Sequence, residues 1–177
     1  MLKRRSFEYL LSKLQEWYAE SASIETNDLS VLKSLKLLFL ITAADIELSK
    51  RNEEVNFEDL LITTTFNNFH ALPLGHVESD IYDWIKETRG HLGTFIINRI
   101  KLTKQQNNPV DTNDVPTDRI NHAVEFLKKN FPRLIYMQPY ELVELTHKWS
   151  SWKFFYRNDR VSRIPSDVII EELKHFS

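Results

Sequence analysis

The side chains best suited to acid–base or metal chemistry near neutral pH are six histidines: His70, His76, His91, His122, His147 and His175. A helix grips a metal between ligands three or four residues apart, and no two of these histidines have that spacing. His70 and His76, with Glu78 and Asp80 close behind, form the one cluster with enough donors for a divalent ion; a metal-dependent hydrolase would be built on His70, His76 and Asp80. The plainer reading is preferred. His76 marks a helix entrance, and Glu78 and Asp80 meet the positive end of the helix dipole without any ion. Nucleophilic catalysis has less support, because the chain has no cysteine and its three glycines cannot build the Gly-x-Ser-x-Gly elbow. Gly90 and Gly93 stand close together, but no lysine and serine follow at phosphate-loop spacing. The chain is therefore expected to be no enzyme, with no catalytic residue, no cofactor and no metal.

Binding is the alternative to chemistry. Lys and Arg total 23 against 25 Asp and Glu, a net charge of −2, so no overall field gathers nucleic acid or anionic lipid. Local basic clusters are Lys3, Arg4 and Arg5; the pair Lys33 and Lys36; and Arg157, Arg160 and Arg163 beside Trp152, Phe154, Phe155 and Tyr156. Aromatics interleaved with arginines can stack bases and neutralise phosphates. Such a run reads better as core with arginines at its rim, a surface that also suits an anionic protein partner. Nucleic acid is disfavoured.

The elements that must position these residues are mostly helices. Phe7, Leu10, Leu11, Leu14, Trp17 and Tyr18 recur at helical offsets, and a second helix is expected from Asn27 or Asp28 as cap, through Val31, to Leu48. Its apolar positions are so dense that it belongs in the middle of a bundle. Phe57, Leu60, Leu61, Phe66 and Phe69 suggest a third helix, weakened by Thr63 to Thr65. Leu72 to Gly75 is the clearest loop, and Val77, Ile81, Trp84 and Ile85 mark a fourth helix. Thr94 to Ile100 reads either as a short strand or hairpin around residues 94–102 or as continued helix. Gln105 to Thr117 is an exposed loop and the expected site of proteolysis. Helices follow through Ile120 to Phe131, from Pro139 to Trp149, and from Pro165 to Phe176. With so few glycines, tight hairpin turns are nearly excluded, against an average glycine content of roughly 7%. The expected fold is mostly α, a compact single domain over residues 1–177. Glu8, Lys13, Gln15 and Glu16 interrupt any apolar leader, and no span reaches membrane length, which gives the expectation of a soluble, cytoplasmic protein.

Three stretches together carry a family resemblance. Ser34-Leu35-Lys36-Leu37-Leu38-Phe39-Leu40 resembles the Lys-Leu-Leu-aromatic core helix of the Panacea domain, the family that includes the SocA-type antitoxins and many phage-associated proteins. Phe66, Phe69 to Ala71, Pro73, Gly75, Val77 and Ile81-Tyr82 resemble its central segment, and Leu142, Leu145-Thr146-His147 and Trp152 resemble its Leu-x-x-Leu-Thr-His signature. Order and spacing agree over nearly the whole chain. One departure is His76, where the family most often has proline; another is the polar loop before Pro116.

The resemblance implies a cytoplasmic antitoxin that neutralises a cognate toxin protein by direct binding. Family members often carry an extra helix-turn-helix module, for which the assigned helices leave no room, so no operator binding by this chain alone is expected. The partner-binding residues expected on this reading are Pro73, Gly75, His76, Glu78, Tyr82, His147, Trp149 and Trp152, with Trp149 taken as exposed; the alternative is that Thr146, His147 and Trp152 form an internal hydrogen-bonded packing cluster, the preferred role for Trp152. A second reading, suggested by the SocA members, is an adaptor that hands the toxin to a cytoplasmic protease.

Overall fold

A computed structural model describes residues 1–20, 22–52, 56–105, 108–157 and 160–177. Parts of three expected joints and of the arginine segment therefore lie outside the described residues: Ser21, residues 53–55, residues 106–107 and residues 158–159.

The fold is mostly α. Helix α1 (Leu2–Ala19) buries Phe7, Leu10, Leu11, Leu14 and Trp17 along one stripe. Helix α2 (Val31–Arg51) is buried without interruption from Lys33 to Ile46, and it runs through the middle of the molecule as its apolar density requires. Its cap is Ser30, whose hydroxyl accepts from Lys33 N at 3.3 Å, and not the expected Asn27 or Asp28. Asn27 instead braces the segment at Leu102, accepting from that amide at 3.1 Å and donating to its carbonyl at 2.9 Å.

The expected third helix is largely absent. A 3-10 turn at Phe57–Asp59 and the single turn α3 (Leu61–Thr64) are all that forms of it among the described residues, and the chain then enters strand β1 (Phe69–Leu72), followed by β2 (Gly75–Glu78) and helix α4 (Ser79–Glu87). Thr63 and Thr64 explain the early stop: both hydroxyls turn back onto Leu60 O at 2.9 Å, competing with the helical ladder. Val77 belongs to β2, so α4 begins two residues later than its apolar spacing suggests. Glu78 caps it, accepting from Ile81 N at 2.9 Å.

The near-exclusion of tight hairpins is overturned twice. β1 and β2 pair antiparallel from Phe69↔Glu78 to Leu72↔Gly75, with Pro73 and Leu74 at the tip and Gly75 at φ +94°. One glycine at the position that needs a left-handed backbone is enough, whatever the average content. The second hairpin joins β3 (Phe95–Ile97) and β4 (Leu102–Lys104), as the strand reading of residues 94–102 proposes. Here Asn98 replaces glycine, its side-chain oxygen accepting from Ile100 N at 2.8 Å and Lys101 N at 3.0 Å.

Helix α5 (Thr117–Asn130) packs on α1 and α2. The expected helix from Pro139 to Trp149 is α6 (Pro139–His147), and beyond the break at Trp149 follows a further short helix that was not expected, α7 (Ser150–Phe155). Strand β5 (Ser162–Arg163) joins the sheet in the order β2-β1-β5, and α8 (Ser166–Glu171) ends before Leu173 and Phe176. The buried hydrophobic residues apart from Val143 form one continuous cluster from Phe7 to Phe176. Among the described residues no helix is long and apolar enough to cross a membrane.

Candidate functional site

The three stretches that carry the family resemblance meet at one place. Lys36 of α2, the β1–β2 hairpin and the α6–α7 corner pack together there in two layers, one sealed and one open to solvent.

The sealed layer is centred on His76. Its ring lies flat on Phe39, with centroids 3.8 Å apart and planes 9° from parallel, while its Nε2 and the Ser151 hydroxyl share a hydrogen bond of 2.7 Å. Trp149 packs edge-on against Phe39 at 4.8 Å, and its indole N–H donates to His175 O at 3.1 Å. Lys36 reaches into the same layer from the one polar position in the run Leu35 to Leu40, and its ammonium donates to His76 O at 2.6 Å. No carboxylate among the described residues pairs with it, and desolvation pushes its pKa down to about 7. Burial, aided by the charges of Lys36 and His147, holds His76 well below the ordinary imidazole value. These titratable groups are inside the protein. The His76–Ser151 pair resembles the beginning of a nucleophile and its base, but both residues are enclosed and cannot meet a substrate in this conformation.

The open layer is aromatic and cationic. His147 stacks on Trp152 with centroids 3.7 Å apart, and Trp152 stacks on Tyr156 at 5.1 Å. The Trp152 indole donates to Leu72 O at 2.8 Å, which ties α7 to the hairpin. Pro73 and Leu74 on the hairpin and Lys153, Phe154 and Arg157 in and just after α7 are all exposed, with the Arg157 guanidinium 4.5 Å from the centroid of the Phe154 ring. Burial lowers the pKa of His147, partly opposed by the charge of Glu144 and a backbone hydrogen bond with Pro73.

The eight expected partner-binding residues therefore divide. Pro73 is exposed, and His147, Trp152 and Tyr82 are half-buried. Gly75, His76, Glu78 and Trp149 are buried, which removes them as direct contacts and corrects the expectation of an exposed Trp149. The break after His147 turns the chain inward, placing Trp149 in the core and Trp152 at the rim. Tyr82 has its own neighbour, Lys86, with the ammonium 4.6 Å from its ring.

Glu78 sits at the far end of β2, where Lys3 bridges it and Asp80 at 2.5 Å each and also donates to Asn67 Oδ1 at 3.0 Å. This cluster fastens the start of α1 to the entrance of α4. His70 Nδ1 and the Ser79 hydroxyl share a hydrogen bond of 2.8 Å, and His76 faces the core, so the four residues of the metal cluster do not converge. Among the described residues, no group of three or more His, Asp or Glu is placed to hold a metal.

Lys33 and Lys36, counted among the basic clusters of the sequence, are both buried; Lys33 is paired with Asp28 at 2.6 Å. Sequence reading did not single out Ser151 or Leu74 as site residues, and it named Phe39 only within the resembling helix stretch. The available signal was Lys36 itself, since a lysine inside an unbroken apolar helical run requires a buried acceptor.

No family model, curated protein or solved structure matches this chain.

Proposed function

We propose that this chain is a Panacea-like antitoxin that neutralises a cognate toxin protein by binding it through the open layer of the hairpin–α7 corner. The observation that carries the reading is the convergence of the three resembling stretches on one corner, whose outer surface is aromatic and cationic and whose ionisable groups are sealed beneath. A buried lysine and histidine give such a corner a fixed shape, and the exposed Leu74 at the hairpin tip and Phe154 of α7 supply the anchors on which interface energies concentrate. Occlusion of a toxin needs that shape and no turnover.

The test is co-expression with the product of the adjacent reading frame. The expected result is growth arrest by that product alone, relief by this chain, and loss of relief in a Leu74→Ser/Phe154→Ser variant that unfolds at the same temperature as the parent. A toxin that persists but is inactive supports occlusion. A toxin whose level collapses only when a cytoplasmic protease is present replaces occlusion with the adaptor reading. No arrest, or relief that survives the double substitution, overturns the assignment of this surface.

A further inference from the structure

Strand β5 is an outer strand of its sheet, which runs in the order β2-β1-β5. Ser162 pairs with Ala71, and Ile164 N donates to Phe69 O at 2.9 Å. In an antiparallel ladder alternate residues bond to the same neighbour, so Ser162 and Ile164 turn their backbone groups inward. Val161 and Arg163 must then turn theirs outward. Among the described residues no hydrogen bond outside the ladder uses their amides or carbonyls, and Val161 is 56% exposed.

The charge of the segment that leads into this edge selects its occupant. Residues 148–163 hold Lys148, Lys153, Arg157, Arg160 and Arg163 against the single acid Asp159, within a chain whose net charge is −2. Arg157, Arg160 and Arg163 are exposed, and none pairs with a carboxylate among the described residues; Arg163 donates to Asn67 O at 3.4 Å and Arg157 lies over Phe154. A second copy of this chain would bring the same cations edge to edge, which opposes self-pairing. Nucleic acid would need open aromatic faces, yet Trp152 already stacks with His147 and Tyr156, and Phe154 carries Arg157.

We infer that the outer edge of β5 docks an extended acidic segment of a protein partner, which adds as a fourth strand beside Val161 and Arg163. Backbone hydrogen bonds supply the pairing and the arginines supply the selection. This deepens the partner-binding reading above and rests on it only for the identity of the partner as a toxin.

The probe is a short synthetic peptide of alternating Glu and Val, titrated into the isotope-labelled full-length chain and followed by amide resonances. The expected result is movement of the Val161 and Arg163 amides, slower hydrogen exchange at both, and no such change with a Lys-for-Glu peptide. Val161→Pro deletes one outward amide and should weaken binding about tenfold, the worth of one backbone hydrogen bond. Arg160→Glu changes an exposed side chain alone and should weaken it as well, which keeps the test valid if the proline variant folds poorly. Equal binding of both peptides, no response at Val161 and Arg163, or the same amides moved instead by oligothymidylate would overturn the inference. Toxin neutralisation that survives Val161→Pro and Arg160→Glu but not Leu74→Ser/Phe154→Ser removes the strand and leaves the antitoxin reading standing. An acidic peptide seated on β5 in a chain that relieves no arrest does the reverse.

Discussion

The Thr146 hydroxyl oxygen occupies the space that a side chain on Gly75 would need: a Cβ built there falls 2.2 Å from Thr146 Oγ1 and 3.2 Å from the Lys36 ammonium. The hairpin, α6 and α2 are therefore locked at one contact, and the lock depends on a residue with no side chain at φ +94°. Thr146 is itself held, its hydroxyl donating to Val143 O at 2.9 Å.

Gly75→Ala should accordingly be among the most damaging single substitutions, costing about 3 kcal/mol or more from the clash and the left-handed backbone together. Gly75→Ala/Thr146→Ala should recover part of that loss, since it removes the oxygen but not the backbone strain. Urea unfolding of the two variants checks this; equal stability of single and double variants would place the cost in the backbone alone.

Trp149 and Trp152 should respond differently to truncation. Trp149→Ala empties a fully buried site against Phe39, at about 3–5 kcal/mol, a fall in Tm of roughly 10 °C for a chain of this size. Trp152→Ala removes a half-buried ring and its bond to Leu72 O, and should cost about 1–2 kcal/mol. Scanning calorimetry of both variants decides it, and similar losses would contradict the two-layer arrangement.

Lys36 makes stability rise with pH. Its pKa is about 7 in the folded protein and near the ordinary 10.5 when unfolded, so between those values the unfolded chain holds a proton that the folded chain lacks. Unfolding then takes up one proton, and this contribution is complete above the unfolded value and lost as pH falls through about 7. Lys36→Met should flatten the profile by about 1.4 kcal/mol per pH unit within that window. Denaturant midpoints of parent and variant across the window test it; parallel profiles would mean that the amine keeps its charge inside.

His76 acts in the same direction at lower pH. Burial depresses its pKa well below 6.5, so its contribution is full above 6.5 and is lost as acid protonates the unfolded chain and then the folded one. His76→Phe, which keeps a flat ring for Phe39 but gives up the Ser151 hydrogen bond, should be less acid-sensitive than the parent although weaker near neutrality. An imidazole resonance of His76 that titrates at the ordinary value would refute the sealed layer.

How much of this was legible in the chain divides by the range of the forces involved. Amphipathic periodicity is a local property, so α1, the central α2 and α5 could be read from spacing, and so could the hairpin option at residues 94–102. The third helix could not, because its apolar residues fit either period and the hydroxyls of Thr63 and Thr64 settle its end. Composition misled at the β1–β2 turn, where the location of Gly75 matters and the total of three glycines does not. Sequence alone determined a helical body around α2 and named most residues of one corner, Lys36, His76, His147, Trp149 and Trp152 among them. Only the tertiary structure decided which of them face inward, because burial depends on what distant segments place opposite each side chain. Trp149 and Trp152 are the same residue type three positions apart, and the break between α6 and α7 puts one against Phe39 and the other against His147 at the rim.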